Sequence, residues 1–334
     1  MNKLLISLLL TITILWGCEK NNPITNGKQI RVQQFEKELV LTGKPLTFIE
    51  SKGIFGCEVR NPYLLLNLFN QDNFIAVYDL VEGKFLGNVF TKGKTNDEYV
   101  SFDMVNMYHD SVFWTIDPIR RIVREFAYKP MAKDSSQLFK NTNTWTCNIK
   151  AELFCAFPNG NMINTYKAFS TEEGLFYENV RTKKRINIYR QKISLNDLNR
   201  IKTLAESMKP DGSKIASFTG VWDAFDIVSL NDEQNYCIAN TDELMSWSDF
   251  NQMSDNDIPE HYLSIPRSNN DYIALLHRYA ENLEILFFDW DGRAIAKCHV
   301  KEKLVDFAVD WTNLTIYGVD ENDMVYQYEP ISSL

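Results

Sequence analysis

The stretch Asp271–Ala296 reads DYIALLHRYAENLEILFFDWDGRAIA. It holds two apolar runs, Tyr272–Leu276 and Leu283–Phe288, then an Asp-Gly turn and a third short run. Runs rich in β-branched and aromatic residues, separated by turn residues, are typical of strands that pack on one face. The stretch therefore predicts three consecutive strands joined by tight turns.

The same order of residues recurs at positions 60–87. An apolar strand ends in an aromatic residue and Asp, and a Gly, a basic residue and an apolar residue follow. One turn of each unit can be marked along the chain at Pro62, Asp110, Asn159, Asp211, Asn269 and Thr312. Successive markers lie 43 to 58 residues apart, so six units of about 50 residues cover nearly the whole chain. Repeats of this length with four strands each are the signature of β-propellers. The sequence predicts an all-β, six-bladed β-propeller with four-stranded blades over residues 31–334.

Two insertions and one closing strand complete this prediction. Residues 194–208 have apolar residues at helical spacing after the capping residue Ser194, and residues 241–253 look similar. We expect a short helix between blades at each place. Few residues remain after Tyr328, so we expect residues 37–42 to supply the outer strand of the last blade and to join both chain ends in one sheet.

Two motifs carry a resemblance to known propellers. The segment Lys209–Ala216, KPDGSKIA, resembles the Pro-Asp-Gly strand-turn-strand of TolB-type propellers. The segment Thr91–Tyr99 is similar to a glycine-rich loop of six-bladed propeller lipoproteins from Bacteroides-type bacteria, although its second glycine and its proline are missing. The resemblance implies the fold and an envelope location. It implies no activity, so function must be argued from a site.

The amino terminus has the pattern of an export signal. A basic start is followed by the uncharged run Leu4–Trp16, which as a helix would span about 20 Å, less than the roughly 30 Å of a bilayer core. Gly17-Cys18 then resembles a bacterial lipobox. We predict a lipoprotein signal peptide at residues 1–17, lipidation of Cys18, and a polar tether at residues 18–30. The alternative is an ordinary cleaved signal with an incidental cysteine.

Charge and motif content exclude several functions. The net charge of −9 gives no electrostatic support for binding nucleic acid. The sequence has no GxSxG and no HExxH motif, and its histidines are scattered at positions 109, 261, 277 and 299. Asp289-Trp290-Asp291-Gly292 begins like a calcium loop, but a hairpin turn explains it. We predict no metal site, no cofactor and no catalytic residue.

Loops between strands of one blade often line the mouth of a propeller's funnel. Side chains in such loops that suit ligand recognition are Arg120, Arg121, Trp222, Arg278 and Tyr279. The alternative is that each of them packs on a neighbouring blade. We interpret the chain as a lipid-anchored protein of the bacterial cell envelope, at the outer membrane. It would act as a non-enzymatic binding or scaffolding module for a protein, peptide or glycan partner. The alternative is a glycan-acting hydrolase or lyase with its site in the central channel.

Overall fold

The computed structural model describes residues 25–69, 71–130, 134–147, 153–159, 162–170, 172, 174–189, 193–201, 204–231, 233–332 and 334. The predicted signal peptide, Cys18 and the first part of the predicted tether lie outside these residues. In the part of the chain that is described, no helix has both the length and the apolar character needed to cross a membrane.

Six antiparallel sheets follow one another along the chain, and each is one blade. An amino-terminal strap precedes them and contains β1 (Lys28–Arg31), β2 (Lys37–Leu41) and β3 (Lys44–Pro45). Blade 1 contains β4 (Ile54–Arg60), β5 (Tyr63–Leu68), β6 (Asn73–Asp79) and β7 (Lys84–Thr91). Blade 2 contains β8 (Asp103–Met104), β9 (Val112–Asp117), β10 (Ile122–Tyr128) and β11 (Phe139–Thr146). Blade 3 contains β12 (Leu153–Asn159), β13 (Met162–Ser170), β14 (Gly174–Asn179) and β15 (Arg185–Asn187).

The second half of the ring repeats this plan. Blade 4 contains β16 (Leu204–Met208), β17 (Lys214–Thr219), β18 (Ala224–Ser229) and β19 (Tyr236–Ala239). Blade 5 contains β20 (Arg267–Ser268), β21 (Tyr272–Tyr279), β22 (Asn282–Asp289) and β23 (Ala294–Val300). Blade 6 contains β24 (Leu304–Asp310), β25 (Thr315–Asp320), β26 (Val325–Gln327) and, from the strap, β3. The predicted six-bladed propeller is confirmed, and all six marker turns fall at the junction of the first and second strands of a blade.

The first strand of each blade lies at the centre of the ring. Contacts between these strands show it: the Cys57 amide on β4 donates to Asp306 Oδ2 on β24 at 2.7 Å, and Ser207 on β16 contacts Ser268 on β20 at 2.7 Å. The hydrophobic core fills the spaces between consecutive blades, as where Phe225 of blade 4 meets Phe288 of blade 5. A packed blade face explains why the strands are so rich in aliphatic and aromatic residues.

The strap closes the ring, but with a different strand from the one predicted. β1 pairs in parallel with β19, β2 pairs in parallel with β23, and β3 pairs with β26. The sheet that joins both chain ends therefore uses Lys44–Pro45, and the expectation that residues 37–42 supply this strand was wrong. Residues 37–41 become a fifth strand of blade 5, because Leu39 and Leu41 then join the apolar cluster between blades 5 and 6. The last residues of the predicted tether belong to the propeller, because β1 begins at Lys28.

Both predicted helices are present but shorter than expected. α1 (Leu195–Arg200) begins after Ser194, whose hydroxyl accepts from the Asp197 amide, and α2 (Trp247–Gln252) begins after Ser246 with the same capping box. The helical pattern predicted for residues 194–208 was wrong beyond residue 201, because residues 204–208 form β16. Pairing with β17 overrides the local helical pattern there.

Two faces of the ring follow from the strand order. The loops between second and third strands, together with the connections from one blade to the next, form what we call the upper face. The remaining turns form the lower face. The central channel opens on the upper face where the first strands begin.

Candidate functional site

The two arginines predicted for the ligand face lie on the upper face in the β9–β10 loop. Arg120 is engaged within the protein: its Nη1 donates to the carbonyl oxygens of Thr95 at 2.8 Å and Glu98 at 3.2 Å. These bonds hold the connection between blades 1 and 2 against blade 2. Arg121, the last residue of this four-residue turn, has a backbone φ of 56°, in the left-handed region.

The other three predicted residues differ in their surroundings. Trp222 is only 3% exposed; its indole N–H donates to the Met245 carbonyl at 2.8 Å and its ring packs on Trp247. Arg278 is exposed and forms an ion pair with Glu260 at 3.2 Å. Tyr279 is 64% exposed and lines a cavity described below. Trp222 thus serves the core, whereas Tyr279 is exposed and lines the larger cavity.

The mouth of the channel carries an exposed apolar patch. Phe55 at the start of β4 is 53% exposed and Phe69 after β5 is 63% exposed, with their rings edge to face at 6.5 Å. Val305 on blade 6 is also exposed and lines the channel cavity together with Phe55. We name Phe55, Phe69 and Val305 the channel-mouth patch. Phenylalanines this accessible on a folded protein are available to a ligand.

Below the patch lies a cavity of ≈ 220 Å³ in the channel. Its lining combines apolar and polar side chains and includes Asn67, Phe102, Asp103, Leu263, Ile265 and Arg267. Asn67 Oδ1 and Arg267 Nε are buried atoms for which the described residues supply no hydrogen-bond partner. Buried polar atoms are almost always paired, and both residues line the cavity, so a ligand in the channel could pair with these atoms once the side chains move enough to expose them.

Arg267 and Asp306 form the floor of this cavity. Arg267 Nη2 lies 2.8 Å from Asp306 Oδ2 and also donates to the Cys57 carbonyl at 3.1 Å. Burial raises the pKa of Asp306, and the guanidinium of Arg267 works against this rise. The carboxylate is thus fully engaged, which leaves it unsuited to act as a base toward a channel ligand.

Asp103 is the other carboxyl group in this cavity. Its side chain is exposed to solvent in the channel, and the strands around the channel lie close to it. Burial, with a smaller contribution from the negative charge of Glu206, raises its pKa to about 6. A carboxyl group with this pKa can donate a proton near neutral pH, the property that a general acid needs.

A second and larger cavity, of ≈ 540 Å³, lies in the cleft between blades 4 and 5. The strap covers it as the chain crosses from β1 to β2. Its lining is polar and includes Gln33, Glu38, Asn240, Tyr279, Asn282 and Lys297. We call it the interblade cavity. Three of the chain's four histidines lie at or beside it.

A line of imidazoles and carboxylates crosses the wall of the interblade cavity. His277 Nε2 lies 2.9 Å from Asp223 Oδ1, and its Nδ1 lies 3.4 Å from Glu284 Oε2. His299 Nδ1 lies 3.2 Å from the other oxygen of Glu284, and its Nε2 lies 3.9 Å from Glu38. The residues come from five separate segments, so only the folded ring assembles them.

These contacts shift the protonation of the group. Burial disfavours the charged form of His277, but hydrogen bonds to Asp223 and Glu284 outweigh it and raise its pKa. Burial also acts to raise the pKa of both acids, yet the hydrogen bond to His277 prevails and lowers each. Neighbouring His261 differs, because burial lowers its pKa and keeps its imidazole neutral at pH 7.

Sequence reasoning did not find this group. The histidines are far apart in sequence and match no ligand spacing, so the sequence predicted no metal site. One signal was present: His277 on β21 pairs with Glu284 on β22, and Glu284 pairs with His299 on β23. A strand register worked out from the turn positions would have placed these three side chains in a row.

The predicted hairpin turn is confirmed. The Asp289–Gly292 segment is a hairpin turn, in which Asp289 Oδ1 accepts from the amides of Asp291 and Arg293. Cys57, Cys147, Cys237 and Cys298 are buried and form no disulfide among the described residues. Burial raises the pKa of Cys298 to about 12, so this thiol is unreactive at neutral pH.

Comparison with known proteins finds propellers but no family. No family model and no curated protein sequence matches the chain. The β-propeller domain of Cps50 (Swd1) from Myceliophteria thermophila is 9% identical with a TM-score of 0.47, and the match covers 86% of this chain and 98% of that one. A Bacteroides fragilis protein described as exported is 11% identical with a TM-score of 0.49, covering 91% and 99%. The WD40 repeats of RRP9 are 8% identical with a TM-score of 0.46, covering 86% and 97%. At these identities no site residue can be transferred from them.

Proposed function

We propose that this protein is a lipid-anchored binding module of the bacterial cell envelope that holds a peptide segment of an envelope partner at its channel mouth. The observation that carries the proposal is the channel-mouth patch above a cavity with an unpartnered acceptor, Asn67 Oδ1, and an unpartnered donor, Arg267 Nε. Exposed aromatics suit apolar side chains of a peptide. The two polar atoms, once exposed by side-chain movement, suit the N–H and C=O of its backbone.

The predicted amino terminus supports the location. A basic start, an uncharged run of thirteen residues and Gly17-Cys18 together fit a lipoprotein signal. Replacing Cys18 with Ala should release the protein from membranes, measured by fractionating cells that express each form. Unchanged membrane association of this variant would contradict the anchor, while leaving the binding proposal intact.

The binding proposal can be tested with a library of short synthetic peptides. We expect the purified protein to enrich peptides with aromatic or branched apolar residues. Phe55→Ala and Phe69→Ala should each weaken binding of the best peptide about tenfold or more, since one buried aromatic contact contributes more than about 1.4 kcal/mol. Fluorescence anisotropy with the labelled peptide measures the change.

The chain offers a matched control for this experiment. Phe85 on the outer strand β7 is 51% exposed, nearly the same as Phe55, but lies away from the channel. Phe85→Ala should leave peptide affinity unchanged. Equal affinity in all three variants would refute the proposed site. Selective binding on a glycan array that depends on Phe55 would assign the same site to a glycan instead.

Asp103 favours a second candidate, the glycan-acting hydrolase or lyase. Its pKa of about 6 would allow it to protonate a leaving group in the channel. Under this reading, envelope polysaccharides should be cleaved by the protein and not by Asp103→Asn. Peptide binding without any cleavage of polysaccharide would exclude the enzyme and leave the binding module as the function.

A further inference from the structure

Three side chains of metal-ligand type converge beside the interblade cavity. Asp223 lies at the β17–β18 connection of blade 4, His261 in the connection from blade 4 to blade 5, and His277 on β21. One potential ligand atom from each lies within 4.8 Å of the others. The group lies outside the channel and plays no part in the binding proposed above.

Main-chain bonds fix the positions of these residues. The His261 amide donates to the Gly220 carbonyl at 2.6 Å, and the Arg278 amide donates to the His261 carbonyl at 2.7 Å. Tyr262 also forms a β-bridge with His277. The backbones carrying the two imidazoles are thereby held together. A site fixed in this way loses little conformational freedom when an ion binds.

The distances suit ligands that share one ion. His277 Nε2 and Asp223 Oδ1 are 2.9 Å apart. Two ligand atoms about 2.0–2.1 Å from a common metal, at angles between octahedral and tetrahedral, lie roughly 2.9–3.4 Å apart. An ion can therefore replace the proton between these two atoms after small side-chain movements.

Outer partners of the kind found around metal sites are already in place. His277 Nδ1 faces Glu284 Oε2 at 3.4 Å, and Asn240 Nδ2 donates to Asp223 Oδ1 at 2.9 Å. A histidine that binds a metal through one ring nitrogen usually donates its other N–H to a carboxylate or carbonyl, which fixes the ring and its tautomer. Glu284 is positioned for that role at His277.

We propose that Asp223, His261 and His277 bind a divalent transition-metal ion, with Zn²⁺ as the best-suited ion. Imidazole and carboxylate ligands suit Zn²⁺, and a set of two histidines and one carboxylate leaves a coordination position open. Asp223 and His277 also line the interblade cavity, so the open position faces a space of ≈ 540 Å³ that water or a small ligand can enter. The ion would join blade 4 to blade 5.

The competing explanation is a purely structural histidine. His277 is buried between two acids, and such a group can stabilise the interface between blades without any metal. His261 separates the two explanations. Its half-buried imidazole is essential to the metal site, whereas the Asp223–His277–Glu284 contacts do not involve its side chain.

Calorimetric titration of the chelator-treated protein with Zn²⁺ tests the proposal. We expect one ion per chain, and visible absorption of the Co²⁺-loaded protein should show nitrogen and oxygen ligation. His261→Ala should weaken Zn²⁺ binding at least tenfold and lower the Co²⁺ absorption. Glu284→Gln should weaken binding about 10- to 100-fold, as loss of an outer partner does elsewhere.

Two controls make the result decisive. His109→Ala removes an exposed histidine on the lower face and should leave Zn²⁺ binding unchanged, as should Phe55→Ala in the channel-mouth patch. Circular dichroism confirms that each variant is folded. Failure of the wild-type protein to bind Zn²⁺, or wild-type affinity in His261→Ala, would overturn the proposal. Loss of binding in His299→Ala but not in His261→Ala would overturn this ligand set as well.

Discussion

The channel and the interblade cavity differ in how the polar groups of their walls are hydrogen-bonded. In the channel, the wall is largely apolar, and two buried polar atoms, Asn67 Oδ1 and Arg267 Nε, lack partners. In the interblade cavity, imidazoles and carboxylates alternate, and neighbouring groups bind one another. The channel is thus suited to a ligand that supplies missing hydrogen bonds. The interblade cavity is suited to an ion that can replace a proton.

The largest expected effect comes from breaking the ion pair at the floor of the channel. Arg267→Met leaves the Asp306 carboxylate buried without its cation, and we expect the free energy of unfolding to fall by about 3–5 kcal/mol. Chemical denaturation measures the change. The control is Arg278→Met, which removes an exposed pair with Glu260 and should cost less than about 1 kcal/mol. Equal losses would show that the channel floor is not a stabilising element.

Stability measured against pH tests Asp226 of blade 4, a carboxyl group for which the described residues supply no cationic partner. Asp226 is half-buried, and its burial raises its pKa to about 7 although hydrogen bonds from Thr25 and Cys237 oppose the rise. A raised pKa means that the unfolded chain gives up this proton more readily than the folded one. Stability should therefore be lost as pH rises from about 4 to about 7, by up to about 4 kcal/mol in total.

Asp226→Asn is the direct check on this pH dependence. The amide oxygen can still accept from Thr25, whose Oγ1 lies 2.7 Å from Asp226 Oδ1. We expect thermal unfolding of this variant to vary less with pH than that of the wild-type protein, with the gain largest near pH 8. Exposed Asp72→Asn serves as the control. A variant that retained the full pH dependence would show that another group is responsible.

The smallest expected effect concerns the strap over the interblade cavity. Phe35 packs edge to face on Phe288 at 5.4 Å, and Lys297 Nζ lies 5.2 Å from its ring centre. Because this ring is only half-buried, Phe35→Ala should cost about 1–2 kcal/mol, less than a core phenylalanine. Hydrogen exchange of residues 32–38 should increase while peptide binding at the channel stays the same. Weakened peptide binding would indicate that the two cavities are coupled.

The sequence predicted the ring better than the sites on it. Turns at regular spacing specify blades, because each turn residue acts locally and each strand shows its own apolar pattern. The closing strand was assigned wrongly because Lys37–Leu41 and Lys44–Pro45 lie close together, and only pairing with β23 and β26 distinguishes their roles.

The site residues depended on contacts that the sequence does not display. Trp222 lies in a loop of the upper face, but the packing of Trp247 from α2 makes it a core residue. His261 and His277 are brought together by a β-bridge between a connection and a strand. Loop position could be predicted from turn spacing. The direction of each side chain could not, because it is decided by elements that are distant in the chain.

The strap also has a consequence for synthesis and export. Lys28 pairs with Tyr236, Lys37 with Ala296 and Lys44 with Gln327, so each strap strand must wait for a partner made more than two hundred residues later. Contacts this distant in the chain slow folding and leave strand edges exposed meanwhile. A nascent chain that passes through a membrane in sequence order would emerge with its first three strands unpaired. We expect such a chain to depend on a holding chaperone until its last blade has emerged.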